Sequence, residues 1–218
     1  MSVKGLPTVV VGVMLLISLM LYPSLPDQVP VHWSIQGKPD SFAPKALAVL
    51  LLPALTLILL LVGRLSMTRI AFERRYGEAR ETQRFMINAI VVFLGFMHAL
   101  MLVTALNPDV PLARVYVIGL GGLCVALGNV MGRLRPNPLF GIRFPWTLSD
   151  ETVWRRTHRV GGRWLFMSGL VLMLATLVLS PESLFVLALG LLLGGAVCLA
   201  YASRALWLER HSERHRGV

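Results

Sequence analysis

Six long apolar runs, separated by short polar segments, dominate the pattern of this chain of 218 residues. The runs cover roughly residues 5–22, 46–63, 85–106, 114–132, 164–180 and 183–203. Each is about 17 to 22 residues long, which is enough for an α-helix to cross a hydrocarbon core of about 30 Å. None contains Asp, Glu or Lys, and Arg114 lies at the end of its run. The pattern predicts an all-α polytopic membrane protein with six transmembrane helices.

The segments between the runs alternate in charge, and this alternation predicts the orientation. Eighteen of the 21 Lys and Arg residues fall on one side of the predicted membrane. Because cationic loops resist translocation, this side is predicted to be cytoplasmic, with both the N and C termini inside. The net charge of +10 is then explained by the loops, so direct contact with nucleic acid is not predicted. The cations are expected to face the anionic lipids of the inner leaflet.

The order of the runs predicts two membrane domains joined by a linker. Residues 1–63 form an N-terminal two-span domain with a periplasmic loop at 23–45. Residues 64–84 form a cytoplasmic linker that extends a neighbouring helix. Residues 85–218 form a four-span domain whose cytoplasmic loop covers 133–163.

The predicted periplasmic loop contains five prolines, which exclude a regular helix. Residues 31–35 are predicted to be extended, and Gly37 can take the positive φ that a following turn requires. Two interpretations remain open. The loop is either a cap over the outer helix ends or a ligand-facing surface, with these candidate residues: His32, Trp33, Gly37 and Asp40.

Small and polar residues inside the predicted spans are expected to pack helices together. Two glycine pairs have the GxxxG spacing that permits close helix approach: Gly128 with Gly132, and Gly190 with Gly194. His98 is interpreted as the donor or acceptor of one interhelical hydrogen bond. A proton or ion pathway through His98 or Asn88 is the alternative, because intramembrane polar groups often mark such pathways.

The predicted cytoplasmic loop 133–163 combines prolines, aromatic residues and polar residues. A helix is predicted to begin near 147–149, with Thr147 or Ser149 as its N-cap. One face of this helix repeats at helical spacing: Val153, Trp154, Thr157, His158 and Gly161. The pattern predicts a short helix that lies in the cytoplasmic interface and runs into the fifth span at Gly161-Gly162. The loop is either an interfacial anchor or a functional surface built from Asn137, Arg143, Trp146 and His158.

Two chemical expectations concern this loop. Arg143 lies among apolar residues, so it is expected to have a fixed partner, such as Asn137, a free carbonyl or a lipid phosphate. His158 with Asp150 or Glu151 is the one candidate acid–base pair, but about 12 Å of helical rise separates Asp150 from His158. No catalytic residue, metal site or cofactor is therefore predicted.

One string of residues resembles a known family. It reads Asn137-x-x-x-Gly141-Ile142-Arg143-x-Pro145-Trp146-Thr147-Leu148, followed by Trp154, Thr157-His158 and Gly161. This string looks like the signature of the SdpI-like immunity proteins. Residues 25–40 are similar to an uncharacterised N-terminal membrane domain that is often joined to them. The resemblance implies that the functional motif comprises Asn137, Gly141, Arg143, Pro145, Trp146, Thr147, Trp154, His158 and Gly161.

The resemblance also implies a location and a function. It implies a multi-pass protein of the bacterial cytoplasmic (inner) membrane that confers resistance to a secreted antimicrobial peptide toxin. Its implied partners are that toxin and a transcriptional repressor, which the founding member holds at the membrane when toxin is present. A small membrane transporter or permease is the alternative function.

Overall fold

The computed structural model of the chain describes residues 5–67, 79–137 and 140–215. A 3₁₀ turn at Tyr22–Ser24 follows the first helix, and a π turn at Gly190–Gly194 joins the last two helices. The helices and strands in chain order are α1 (Leu6–Leu21), β1 (Gln28–Trp33), β2 (Pro39–Pro44), α2 (Lys45–Met67), α3 (Ala79–Leu106), α4 (Leu112–Met131), α5 (Pro145–Ser149), α6 (Glu151–Ala175), α7 (Pro181–Leu189) and α8 (Gly195–His215).

Five stretches of the described chain are helical, long and apolar enough to cross a membrane. They are Leu6–Ser24, Lys45–Gly63, Glu81–Leu106, Leu112–Met131 and Pro181–Ser212. Large apolar side chains remain exposed along them, as expected for surfaces that face lipid rather than water. The predicted class, an all-α polytopic membrane protein, is confirmed. The two short strands add a small ribbon to it.

The fifth predicted span, 164–180, is not among these five stretches. Its helical part is the second half of α6, whose first half carries Arg155, Arg156, Arg159 and Arg163. At one end of the bundle, called here the Arg-rich end, Trp154 packs against Leu134. At the opposite, ribbon end, Pro181 lines a cavity beneath the strands. Helix α6 therefore runs from the Arg-rich end to the ribbon end of the bundle. That it forms a sixth membrane crossing, and that both termini lie on the cytoplasmic side, stay predictions.

Helix α6 is continuous through Gly161 and Gly162, so the predicted short helix runs into the fifth predicted span without a break; its position in the membrane interface stays a prediction. These glycines permit close packing instead of a bend. A Cβ on Gly162 would lie 2.8 Å from the carbonyl oxygen of Gly128, and a Cβ on Gly128 would lie 2.7 Å from that of Gly162. Further along, Gly121 and Gly169 face each other in the same reciprocal way. Backbone contact between α4 and α6 thus fixes the centre of the bundle.

The second predicted glycine pair does not pack helices together. Apart from the chain neighbours and the backbone of its own helix, no described atom lies within 4 Å of a Cβ built on Gly190 or Gly194. The prediction for this pair is therefore wrong. The neighbouring Gly195 makes the close contact, against the indole ring of Trp164 on α6.

The ribbon is antiparallel and closes over the ends of α2 and α3. Its turn has the predicted conformation, because Gly37 has φ +74° and the Ser34 amide donates to the carbonyl of Lys38. Val29 of β1 is fully buried with Ala48 and Val49 of α2 and with Met101 and Leu102 of α3. The ribbon is thus a cap anchored by apolar burial, as the first of the two interpretations describes, while the second, a ligand-facing surface, stays a prediction.

Two buried hydrogen bonds of Ser18 join three helices within the apolar bundle. Ser18 Oγ on α1 lies 2.8 Å from His98 Nε2 on α3, and it donates to the carbonyl of Val49 on α2 at 3.3 Å. His98 is fully buried. It makes the predicted interhelical contact.

The predicted division into two domains stays a prediction. Most of the linker at 64–84 lies outside the described residues. Its described ends are helical, because α2 continues to Met67 and α3 begins at Ala79.

Candidate functional site

The candidate site lies at the Arg-rich end and begins where the chain leaves α4. Two backbone hydrogen bonds turn the chain there, from Arg133 to Val130 and from Leu134 to Met131. Leu134 is buried, and its carbonyl accepts a 2.8 Å hydrogen bond from the indole nitrogen of Trp154. This bond satisfies the polar group of an otherwise fully buried tryptophan.

Asn137 folds the loop that follows. Its side-chain amide donates to the carbonyls of Arg135 and Phe140 at 2.9 and 3.1 Å, and its Oδ1 accepts from the Phe140 amide at 2.7 Å. Positions 138 and 139 lie outside the described residues. The bonds of Asn137 connect Arg135, before these two positions, with Phe140, after them. Because these bonds occupy the Asn137 amide, it is an organiser of the loop backbone rather than a partner of Arg143.

Gly141 brings the loop against α6. Its φ is +111°, a value that other residues rarely adopt. A Cβ at this position would overlap Nε2 of His158 and lie 3.1 Å from the Trp154 ring. The glycine therefore permits the next residue, Ile142, to donate its backbone amide to His158 Nε2 at 2.9 Å.

His158 is held as a neutral ring. Because Nε2 accepts from Ile142, the proton is assigned to Nδ1, which lies 2.9 Å from the carbonyl of Trp154. Burial lowers the pKa of His158, and the bond to the Trp154 carbonyl opposes that shift without cancelling it. The imidazole also stacks on the Trp154 indole, with ring centroids 3.9 Å apart. The ring thus holds the loop by packing and by an accepted hydrogen bond.

Thr147 closes the loop from its other side. Its hydroxyl accepts from the Phe144 amide at 2.9 Å and donates to the Ile142 carbonyl at 2.7 Å. Pro145 is the exposed first residue of α5, where a missing amide hydrogen costs nothing. Gly161 leaves space for the Ile142 side chain, since an added Cβ would lie 2.9 Å from its Cδ1.

A second group of contacts fastens the loop to the last helix, α8. The Trp146 indole donates to Ser203 Oγ at 2.9 Å. The Trp207 indole donates to Ser149 Oγ at 3.1 Å, and Arg210 Nε donates to Asp150 Oδ2 at 3.0 Å. These three contacts, called here the C-terminal clamp, were not predicted. The spacing of Ser203, Trp207 and Arg210 by four and three residues along one helix face was the signal that could have identified them.

Asp150 caps α6, so the prediction of Thr147 or Ser149 as N-cap is wrong. Its Oδ1 accepts from the amides of Thr152 and Val153 at 2.8 and 3.1 Å. Burial raises the pKa of Asp150, but the Arg210 guanidinium and the two amides outweigh burial and hold it below its usual value. Asp150 and His158 thus have separate sets of partners and form no acid–base pair.

Arg143 does not have the predicted protein partner. Its side chain is exposed, and it makes no hydrogen bond or ion pair within the described residues. The apolar side chains of its neighbours Ile142 and Phe144 turn inward while Arg143 turns out. Of the three expected partners, a lipid phosphate is the one that this exposure leaves open. Arg155, Arg156 and Arg159 are also exposed, on the face of α6 opposite Trp154 and His158.

The four candidate residues of the ribbon lie at the other end of the bundle, far from the motif cluster. His32 Nδ1 and Asp40 Oδ1 are 2.6 Å apart on the exposed face of the ribbon. Trp33 is half-buried and packs against the cluster beneath the ribbon. Gly37 forms the turn, where an added Cβ would lie 3.3 Å from the Cβ of Ala113.

A cavity of about 490 Å³ lies beneath the ribbon. Its walls come from β1, the ribbon turn and helices α2, α3, α4 and α7. Within residues 5–67, 79–137 and 140–215, no three His, Cys, Asp or Glu side chains are grouped to hold a metal ion. Most of the residues that line the cavity are apolar, so it offers mainly apolar contact.

The comparisons with known proteins agree with the resemblance seen in the sequence. Residues 133–202 match the SdpI/YfhL protein family, and residues 9–57 match a domain of unknown function (DUF1648). The chain is 28% identical to the Immunity protein SdpI of Bacillus subtilis (strain 168) over 165 residues. The aligned region covers 75% of this chain and 76% of that protein. No solved structure matches the chain significantly. The family match includes the whole motif from Asn137 to Gly161.

Proposed function

Because residues 133–202 match the SdpI/YfhL protein family and the chain is similar to an immunity protein, we propose that it is a membrane immunity protein that confers resistance to a secreted antimicrobial peptide. One observation carries the proposal. The stretch that matches the family is held by hydrogen bonds from four of its side chains. Thr147 and His158 bond the backbone of Ile142, Asn137 bonds Arg135 and Phe140, and Trp154 bonds Leu134. These bonds preserve a defined surface at the Arg-rich end rather than a loose anchor.

Resistance can be tested directly in cells. The full chain is expressed in a bacterium that is sensitive to secreted antimicrobial peptides, and survival is measured against the empty vector. We expect survival to rise, and we expect Trp154→Phe to reduce it, because phenylalanine keeps the ring packing but loses the hydrogen bond to Leu134. Leu174→Ala is the matched control, since Leu174 is 66% exposed on the same helix. Equal survival with and without the chain, at verified membrane levels, contradicts the proposal.

The proposed location is the bacterial cytoplasmic (inner) membrane, with the Arg-rich end and both termini in the cytoplasm. The charge distribution supports this orientation, because 18 of 21 Lys and Arg residues then lie inside. Reporter enzymes fused at residue 38 and at the C terminus should give opposite readings. Identical readings, or a periplasmic C terminus, would end this proposal.

A further part of the proposal concerns signalling. We propose that the Arg-rich end holds a transcriptional repressor at the membrane when the peptide is present. The C-terminal clamp supports this role, because it joins the motif loop and α8 into one surface on the predicted cytoplasmic side. A fluorescent fusion of a candidate repressor should move to the membrane only when both chain and peptide are present. Arg210→Gln should weaken that recruitment while Arg156→Gln, on the exposed face of α6, should not.

A further inference from the structure

The cavity beneath the ribbon is shared between the two matched parts of the chain. The ribbon and α2 contribute Trp33 and Leu52, which belong to residues 9–57. Helix α7 contributes Phe185 and Ala188, which belong to residues 133–202. Because both parts build its walls, the cavity depends on the way the N-terminal part packs against the rest. Its 490 Å³ falls within the range of about 300 to 1,000 Å³ that is usual for ligand sites.

The walls of the cavity favour large apolar side chains. Aromatic residues come from four different elements: Trp33, Phe93, Tyr116 and Phe185. Aromatic rings pair favourably with other rings at defined angles. Met97 and Met101 add thioethers that adjust to irregular shapes. Polar groups lie on the ribbon side, where His32 and Ser34 line the cavity. The site thus has an apolar interior below a polar rim.

The charge of the ribbon end favours a cationic occupant over an anionic one. The segments at this end, 22–45, 107–114 and 180–183, contain four acidic residues and three basic ones. Lys45 is paired with Asp27 at 3.1 Å, which leaves three acidic and two basic residues outside this pair. The exposed carboxylate of Asp40 sits on the ribbon beside His32, and Glu182 follows the cavity-lining Pro181. The excess of cations is confined to the opposite end.

We propose that this cavity binds the apolar side chains of a cationic amphipathic peptide that approaches from the ribbon end. A peptide of this class carries Trp, Phe or Leu on one face and Lys or Arg on the other, and it lies in the membrane interface. Its apolar side chains enter between Trp33 and Phe185, while its cations remain near Asp40 and Glu182. This inference rests on the proposed function, since it names the class of peptide that the immunity protein meets.

Photocrosslinking in membranes that contain the full chain tests the site. The photoreactive residue p-benzoylphenylalanine is placed at Phe185, which lines the cavity, or at Val186, its neighbour, which is 66% exposed. The probe is a synthetic biotin-labelled peptide of Lys and Leu with one Trp. We expect a peptide adduct at 185 and little at 186. Leu52→Trp, which fills the cavity from α2, should reduce the adduct about tenfold or more, because one large side chain loses its burial.

Each outcome decides a separate point. Equal peptide adducts at 185 and 186 would mean contact through the lipid phase and would overturn the site. A crosslink to lipid alone at 185 would show that a lipid chain occupies the cavity, and it would contradict the proposal that the peptide binds there. Ala113→Phe fills the cavity from α4, so it repeats the test if Leu52→Trp fails to reach the membrane. If the chain protects cells but no cavity variant lowers protection or the adduct, the immunity proposal stands and this inference fails.

Discussion

The side chain of His158 accepts a 2.9 Å hydrogen bond from the backbone amide of Ile142, sixteen residues earlier in the chain. This contact fixes the motif loop on α6. It requires a neutral imidazole, because a proton on Nε2 would remove the acceptor. The contact also requires Gly141, since any Cβ there would occupy the position of Nε2. Two residues of the motif thus have roles that follow from one hydrogen bond.

We first predict a pH dependence of stability that arises from His158. Burial lowers its pKa in the folded protein, so below the unfolded value of about 6.5 the unfolded chain binds more protons. Stability is therefore complete above that pH and falls as the pH decreases through 6.5 towards the lower folded pKa. In His158→Gln, Oε1 accepts from Ile142 without titrating. The thermal midpoint in detergent, measured from pH 7.5 to 5, should fall less for this variant than for the parent. Parallel curves would contradict the assignment.

Gly141→Ala should destabilise the motif loop. The substitution places a Cβ against Nε2 of His158 and forces alanine into φ +111°, where a strained residue costs about 1 to 3 kcal/mol. Gly122→Ala is the control, because no described atom lies within 4 Å of the new Cβ there. Alanine should be neutral or favourable at that helical position. Thermal midpoints of both variants test the prediction, and equal effects would show that His158 moves aside without cost.

The helices and the motif face were predictable because each depends on local periodicity. Trp154 and His158 share a face through their spacing of four, and both are fully buried as that spacing indicates. The turn at Gly37 was also predictable, because few residues other than glycine accept its φ. Predictions failed where the role of a residue depends on a partner far away in the sequence. Asp150 was assigned to the first turn of the helix, but Arg210, sixty residues later, helps to hold it at the cap.

The glycines illustrate the same limit. Gly128 and Gly190 each begin a GxxxG pair, so the sequence treats them alike. Only the fold determines that Gly128 faces the backbone of α6 whereas Gly190 faces open space. Arg143 was expected to have a fixed partner, from the protein or from a lipid phosphate, because its neighbours are apolar. The loop instead turns those neighbours inward and leaves Arg143 exposed, which periodicity could not reveal in a stretch with several prolines.

The two functions of Asp150 should be separable. Asp150→Ser keeps a side chain that can cap α6 but loses the ion pair, whereas Asp150→Ala loses both. We expect alanine to be less stable than serine by about 1 kcal/mol, the usual contribution of an N-cap. Glu151→Gln, at an exposed pair with Arg135, should cost at most about 1 kcal/mol. Thermal unfolding of the three variants decides between these expectations, and equal stability of Asp150→Ser and Asp150→Ala would remove the capping role.

Arg210→Gln should loosen the end of α8 without unfolding the bundle. It removes the Arg210 ion pair from the Asp150 carboxylate, which is 5% exposed, and keeps the bonds from the two backbone amides. Limited proteolysis near the C terminus should be faster in this variant than in Arg204→Gln, whose residue lies on the same helix outside the clamp. Identical cleavage rates would show that the Trp146 and Trp207 contacts suffice to hold the helix.

The last prediction concerns two adjacent glycines that the sequence cannot distinguish. The Trp164 indole donates to the carbonyl of Leu191 at 2.9 Å, and its ring lies where a Cβ on Gly195 would extend. Gly195→Ala should therefore displace the ring and cost about 1 to 3 kcal/mol through overpacking. Gly194→Ala should be neutral or stabilising, because no described atom lies within 4 Å of its Cβ. In a Trp164→Ala background the cost of Gly195→Ala should disappear, because the obstructing ring is absent. If thermal unfolding shows the same loss in both backgrounds, the contact between Trp164 and Gly195 is not its cause.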